Sequence, residues 1–264
     1  MRNLVEVLKD TLLRCNTDAV LMDSIAKTKS AQRVYLENES IEHTPFSSNS
    51  FSTQIIVSTK RSFEAAESYC KASEKVAVLN FANSFNPGGG VLFGARAQEE
   101  SLCRISTLYP ALIDETVFSA FYGQHRNKLD NFKANDDIIY SPHITVFKDD
   151  NSLELLKKKD WYNLNVITCA APDLNDGTIR KEELRELFTK RWRRILEVAQ
   201  VNDCTVVILG AFGCGAFRNP SDLVASSAKA VLSEFQGSFK TVEFAVACQN
   251  DWTNYNIFKN VLNS

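Results

Sequence analysis

A hydrophobic run, a glycine triplet and a Gln-Glu-Glu triplet follow one another between residues 76 and 109, and few folds accept that arrangement. Val76-Ala-Val-Leu-Asn80 reads as a buried strand. It runs into Asn80-Phe-Ala-Asn83-Ser-Phe-Asn86-Pro-Gly88-Gly89-Gly90, a seven-residue spacer, and Gln98-Glu99-Glu100. Ser101 to Tyr109 then reads as a helix. The polar and acidic groups therefore sit at a strand-to-helix junction, the place where α/β domains gather their sites. Three successive glycines cost backbone entropy and suit a chain that must bend through positive φ or let something come close. Their bare N–H groups make a concave anion site. No Lys-Ser/Thr follows, so this is not a Walker-type loop; a plain turn is the other reading of Pro-Gly-Gly-Gly.

Glu99 and Glu100 fall in the first turn of the expected helix, where the dipole favours anions. That alone explains two glutamates. However, neighbours on a helix point about 100° apart, so the two carboxyls are expected to do different jobs. One can hold sugar hydroxyls. The other can stay protonated, through burial and the like charge beside it. A protonated carboxyl beside a phosphate-sized loop suggests cleavage of a glycosidic bond in a nucleotide-like substrate.

Gly88-Gly89-Gly90, the spacer and Gln98-Glu99-Glu100 resemble the signature of the poly(ADP-ribose) glycohydrolases. The longer string from Asn80 to Arg104 is similar to the microbial, bacterial-type branch, a macrodomain with an N-terminal extension. The resemblance is most specific at 76–109, 138–147 and 205–222, and weak before residue 50.

Composition sets outer limits. The chain has 264 residues, 44% hydrophobic and 23% charged, which suits one large domain or a core with an extension. A formal net charge of −2 gives no general pull toward nucleic acid or an anionic membrane. The seven cysteines are scattered without a C-x-x-C pair, and there are only three histidines. Reduced thiols in a cytoplasmic or nuclear setting are expected, with no metal and no cofactor. The first residues carry charges too early for a signal peptide, and no apolar run approaches a membrane span.

Along the chain, residues 2–27 read as helical, with Asp18 or Asp23 capping a second helix. Residues 37–52 read as a polar loop, Thr53–Thr59 as a strand, and Ser62 as the cap of a helix over Phe63–Lys71. The catalytic helix is expected to keep its spacing through Leu102, Ile105, Leu108 and Leu112, with Pro110 bending or ending it. Residues 121–138 read as surface loop, and Ile138–Phe147 as a strand broken by Pro142, with His143 in a structural role. After a strand over Trp161–Ala171 comes a long helix with an apolar stripe from Leu184 to Ala199. Its opposite face, Arg180, Lys181, Arg185, Arg191, Arg193 and Arg194, reads as solvated, because Glu182, Glu183 and Glu186 are interspersed.

Cys204–Gly210 reads as a buried strand feeding Ala211-Phe-Gly213-Cys214-Gly215-Ala216-Phe217-Arg-Asn-Pro220. Two glycines between strand and helix suit a second phosphate-binding loop, although Arg218 stands where a dinucleotide fingerprint needs its third glycine. A tight connection with a core phenylalanine is the alternative.

The strand–helix alternation argues for a three-layer α/β/α domain. The resemblance makes it a macrodomain with a mixed central sheet, a helical N-terminal extension and linker over residues 1–52, and a catalytic core over 53–264. It implies that both glycine loops grip the diphosphate of ADP-ribose, with backbone N–H groups from Gly213, Cys214, Gly215 and Ala216. Phe217 would pack on the distal ribose, and Asn80 and Asn83 would lie near it. Glu100 would be the general acid, with Glu99, its catalytic neighbour, and Gln98 holding ribose hydroxyls and tuning that acid. The implied partners are poly(ADP-ribose), ADP-ribosylated proteins and the product ADP-ribose, met by a monomer that trims chains from the free end. Two alternatives remain open at this point: a macrodomain that binds ADP-ribose without cutting it, and a hydrolase of mono-ADP-ribosyl groups.

Overall fold

The computed structural model describes residues 3–41, 51–127, 131–248 and 251–264. In chain order the elements are α1 (Leu4–Thr17), α2 (Ala19–Ala31), β1 (Arg33–Tyr35), β2 (Gln54–Ser58), α3 (Ser62–Lys71) and β3 (Val76–Ala82). Next come α4 (Gln98–Ile105), α5 (Leu108–Leu112), α6 (Glu115–Val117), a π turn over Phe118–Gly123, α7 (Gln124–Arg126) and β4 (Ile138–Val146). The chain closes with β5 (Tyr162–Ala170), α8 (Lys181–Val201), β6 (Val206–Leu209), α9 (Ser221–Leu232), β7 (Thr241–Ala245) and α10 (Thr253–Asn263).

The strands form one seven-stranded sheet in the order β1-β4-β5-β3-β6-β7-β2. The β1–β4 and β4–β5 pairs are antiparallel, and the remaining pairs are parallel. The sheet is therefore mixed, as expected. Period-two alternation decides the layers. Along β3, Ala77 and Leu79 join the cluster under α8, α9 and α10. Val76 and Val78 join the opposite cluster, with α1, α3, α4 and α5. Asn80 shares the parity of Val76 and Val78, so its side chain lies on the α4 side. From β3 the chain crosses to β4 and β5, and after β5 it returns past β3 to β6. The carboxyl end of β3 is thus a switch point of the sheet, where α/β folds open a crevice.

Several expectations change. Residues 33–35, inside the segment read as an extension, supply the edge strand β1 paired with β4. Of the polar loop expected over 37–52, residues 42–50 lie outside the described residues. Asp18 caps α2, accepting from the Val20 N–H at 3.0 Å. α3 begins one residue earlier than expected, because Glu64 accepts the Arg61 N–H at 3.1 Å and moves the cap to Arg61.

The catalytic helix ends at Ile105 rather than at Pro110, because Ser106 bridges to Val146 and the Thr145 carbonyl takes the Thr107 N–H. Pro110 falls in the first turn of α5, where a missing N–H costs nothing. The stretch read as surface loop holds α7 and the buried residues His125, Asp136 and Asp137; residues 128–130 of it lie outside the described residues. His143 sits on a bulge of β4 at φ 58°, its ring exposed. The backbone at the bulge holds α2, with Ser24 donating to the His143 carbonyl and Thr28 to the Pro142 carbonyl, both at 2.7 Å.

The basic face of α8 is not uniformly solvated. Arg191 and Arg194 are buried. Arg191 donates to Asp136 at 3.1 Å, and Arg194 to the Asp136 carbonyl at 3.0 Å. Among the described residues no helix is long and apolar enough to cross a membrane, and no group of three or more His, Cys, Asp or Glu side chains is placed to hold a metal ion.

Candidate active site

α4 starts at Gln98, so its first turn projects the Gln98-Glu99-Glu100 side chains against the end of β3. The three do different work, as their angular separation requires. The Gln98 amide is used within the protein: its oxygen accepts the Phe81 N–H at 2.9 Å, and its nitrogen donates to the Leu79 carbonyl at 2.7 Å and to Ser62 Oγ at 3.0 Å. Gln98 thus ties α4 to β3 and α3; both of its N–H donors are used, and its oxygen keeps one further acceptor position.

Glu99 is buried. One of its carboxylate oxygens accepts from Asn80 Nδ2 at 3.2 Å, the other from the Asn83 N–H at 2.7 Å. Burial nevertheless raises its pKa to about 8. The Asn83, Asn80 and Gly88 donors pull the value down, and the Glu100 charge adds to the rise. Burial also pushes up the Cys103 thiol and the Tyr122 hydroxyl, with the Glu99 charge adding to both.

Glu100 accepts the Gly90 N–H on Oε1 at 2.9 Å. Its Oε2 is buried and has no hydrogen-bond partner among the described residues. Gly89 lies against this carboxylate at φ +57°, and a Cβ there would stand 2.5 Å from Glu100 Oε1. This is the close approach for which a glycine is needed.

The triplet corrects one expectation. The Gly89 N–H goes to the Asn86 carbonyl at 2.9 Å and the Gly90 N–H to Glu100, while the Gly88 N–H lies near enough to Glu99 to help lower its pKa. The loop turns toward the protein's own carboxylates, and the N–H groups of Gly89 and Gly90 are engaged within the protein rather than offered to a diphosphate.

Asn80 has no exposed surface and stands behind Glu99, its amide nitrogen shared with Thr168 Oγ1 at 3.3 Å. It orients Glu99 and does not reach the ligand space, contrary to expectation. Asn83 lines the cleft and closes a turn, its Oδ1 accepting the N–H groups of Phe85 and Asn86 at 2.9 Å.

The opposite wall is the loop after β6. Gly213 has φ +73°, and a Cβ there would meet Ala171 at 2.6 Å. Cys214 donates its N–H to the Ala211 carbonyl at 3.1 Å, so it is not available to a ligand as expected. Among the described residues the N–H groups of Gly213, Gly215 and Ala216 meet no acceptor. Together with the half-buried Phe217 they line the same cleft as Glu99 and Glu100, a space of about 670 Å³.

Sequence reasoning missed three parts of this site. Asn219 locks the loop, its Nδ2 donating to the Pro172 carbonyl at 2.8 Å and the Gly213 carbonyl at 2.9 Å; the Asn219-Pro220 pair was the available signal. Arg61 and Asp150 pair at 3.2 Å on the cleft wall. Residues 245–247 and Asn254 line it from β7 and α10, and neither carries a local motif.

A buried carboxylate pair at the switch point of a mixed sheet, facing a loop of free N–H groups, defines a macrodomain-like hydrolase. The chain belongs to the microbial-type poly(ADP-ribose) glycohydrolase family: the model of the microbial-type PARG catalytic domain matches residues 3–149. Among solved structures it is similar to the poly(ADP-ribose) glycohydrolase of Thermomonospora curvata, with 29% identity over 98% of both chains and a TM-score of 0.89. The same enzyme bound to the inhibitor ADP-HPD matches with 29% identity over 97% of this chain and 98% of that one, at a TM-score of 0.86. The glycohydrolase of Deinococcus radiodurans in complex with ADP-ribose is 32% identical over 90% of this chain and 96% of its own, with a TM-score of 0.81. A comparison with curated proteins finds no match.

Proposed function

We propose that this chain hydrolyses the ribose–ribose glycosidic bonds of poly(ADP-ribose) and releases ADP-ribose, with Glu100 as general acid and then general base. The observation that carries the reading is the unpartnered Oε2 of Glu100, buried in the cleft wall while Oε1 is fixed by Gly90. A buried polar atom without a partner is costly unless something else satisfies it. A leaving oxygen or an attacking water does so here.

The bond that breaks joins the anomeric carbon of one ribose to a hydroxyl oxygen of the next unit. Glu100 gives its proton to that oxygen as the anomeric carbon becomes oxocarbenium-like. Water then bonds to the anomeric carbon, and its proton returns to Glu100. Glu99, with its raised pKa, limits the negative charge in the pair at neutral pH. The diphosphate lies against the N–H groups of Gly213, Gly215 and Ala216, and Phe217 packs on the distal ribose. The T. curvata and D. radiodurans enzymes were solved with ADP-HPD and ADP-ribose, which supports a ligand of the ADP-ribose type for this cleft. Helix α1 braces α4 from behind the site, since Thr11 donates to the Arg104 carbonyl.

The test is release of ADP-ribose from purified poly(ADP-ribose), wild type beside Glu100→Ala. Release by wild type alone supports the reading. Binding of ADP-ribose without release by either protein overturns it in favour of a binding module. A singly modified protein assayed in parallel separates chain trimming from mono-ADP-ribosyl hydrolysis.

A further inference from the structure

The segment between β3 and the glycine triplet hangs from α7, and His125 is its buried attachment. The His125 ring has two polar neighbours, the Ser84 carbonyl at 2.9 Å from Nδ1 and Asp137 Oδ2 at 3.1 Å from Nε2. A carbonyl oxygen only accepts. Asp137 also accepts from the Glu37 N–H at 2.7 Å and from Asn135 Nδ2, and these donors with His125 hold its carboxyl below the usual range against its burial. Both ring nitrogens therefore face acceptors, and a neutral imidazole, which donates from one nitrogen only, would leave a lone pair against an oxygen.

We propose that His125 is a positioning residue, held doubly protonated between Ser84 and Asp137, that fixes the Asn83–Asn86 turn and through it the Asn83 N–H on Glu99. On the glycohydrolase reading above, it thereby sets the rate of the chemical step.

The connections are short and continuous. Ser84 follows Asn83, whose N–H donates to Glu99 at 2.7 Å, closer than the Asn80 amide at 3.2 Å. Arg126, next to His125, donates to the Phe85 carbonyl at 3.0 Å and to Asn86 Oδ1 at 3.2 Å. Two adjacent residues of α7 thus hold three successive residues of the turn. The π turn before α7 adds a residue to the helical register, a feature frequent at functional sites. It packs Phe121 against the His125 ring, tilted by 52° with 4.4 Å between centroids.

Behind the pair, Asp136 is held by Lys190 at 2.6 Å and Arg191 at 3.1 Å, and its carbonyl by Arg194. Asp137 is the carboxylate in contact with the ring, and Arg126 directs its charge to the turn. A buried imidazolium is expected only where such a carboxylate compensates it.

Two measurements on 15N-labelled full-length protein test this. In wild type at neutral pH, both His125 ring nitrogens should show the shifts of protonated nitrogens; a pyridine-type shift at either one overturns the proposal. In His125→Phe, which keeps an aromatic ring against Phe121 and removes both donors, the Asn83 amide should exchange with solvent at least about tenfold faster. The kcat for ADP-ribose release should fall about tenfold, with KM within about twofold. If that variant fails to fold, His125→Gln keeps one donor and should show the same changes at smaller size. Unchanged Asn83 exchange overturns the positioning role. Absence of ADP-ribose release by wild type overturns the glycohydrolase reading instead, while the ring and amide data still decide the role of His125.

Discussion

Gly90 donates its N–H to Glu100 Oε1 at 2.9 Å, and the other oxygen of that carboxylate is buried with no partner. One oxygen is fixed so that the other can be offered. Replacing Glu100 by Gln keeps the shape and the acceptor for Gly90 but removes the transferable proton. ADP-ribose release by Glu100→Gln should fall at least about 10²-fold, the lower end of what a general acid contributes. Binding of ADP-ribose, measured by calorimetry, should stay within about threefold of wild type. Turnover of the polymer at the wild-type rate would remove Glu100 from the mechanism.

Gly89 tests the same carboxylate from the backbone. A Cβ at this position stands 2.5 Å from Glu100 Oε1 and 3.1 Å from Glu99 Oε2, at a φ of +57°. Gly89→Ala must therefore displace the carboxylates, and it adds about 1 kcal/mol of backbone strain. Release of ADP-ribose should drop by about tenfold or more, while Tm falls by only a few degrees. A variant with normal turnover and a large loss of Tm would show that the glycine serves folding alone.

The raised pKa of Glu99 makes a prediction about pH. Its folded value is about 8, against an ordinary value of 4.5. Between these two values the native state holds a proton that the unfolded chain has released. Stability from this group is therefore greatest below about pH 4.5 and declines as pH rises toward 8. Glu99→Gln, neutral at every pH, should flatten that decline. Melting temperatures of the two proteins between about pH 5 and 9 check it, and parallel curves would place the Glu99 proton elsewhere.

The junction between residues 76 and 109 was legible because its chemistry is contiguous. Strand, glycines and carboxylates are neighbours in sequence, and the identity of each residue carries its role. Partners far away in sequence were not legible. Asp136 and Arg191 are 55 residues apart, and each alone looks like a solvated charge. The same blindness turned the buried His125 region into an expected surface loop. It also assigned the triplet's N–H groups to a phosphate, because sequence shows how many donors a loop has but not where they point. The break at Ser106 was hidden for a related reason: a bridge to Val146, 40 residues on, outweighs helical spacing that runs through Leu108.

Asp136 offers a direct measure of that hidden contact. Its carboxylate meets Arg191 Nε at 3.1 Å and Lys190 Nζ at 2.6 Å, and Arg191 has no exposed surface. Asp136→Ala leaves a guanidinium buried with only the Lys133 carbonyl to accept from it. The loss should be about 3–5 kcal/mol in urea denaturation. A loss under about 1 kcal/mol would mean that Arg191 reaches solvent in the variant at little cost, as surface charges do.

Asn219 holds the opposite wall of the cleft, and its test separates binding from chemistry. Its Nδ2 bridges the carbonyls of Pro172 and Gly213 at 2.8 and 2.9 Å, and its N–H also reaches the Gly213 carbonyl at 3.1 Å. Asn219→Ala keeps the backbone bond to the Gly213 carbonyl but releases both side-chain bonds, so the buried Pro172 carbonyl loses the Asn219 donor. The loop that carries the N–H groups of Gly213, Gly215 and Ala216 then loses its fixed direction. On the proposed reading those groups face the diphosphate, which is remote from the bond that breaks, so their loss weakens ground state and transition state alike. KM for the polymer and Kd for ADP-ribose should rise together by about tenfold, with kcat changed little. A fall in kcat at constant Kd would instead mean that this loop aligns the ribose beneath Glu100, and that the two walls of the cleft act on the same step.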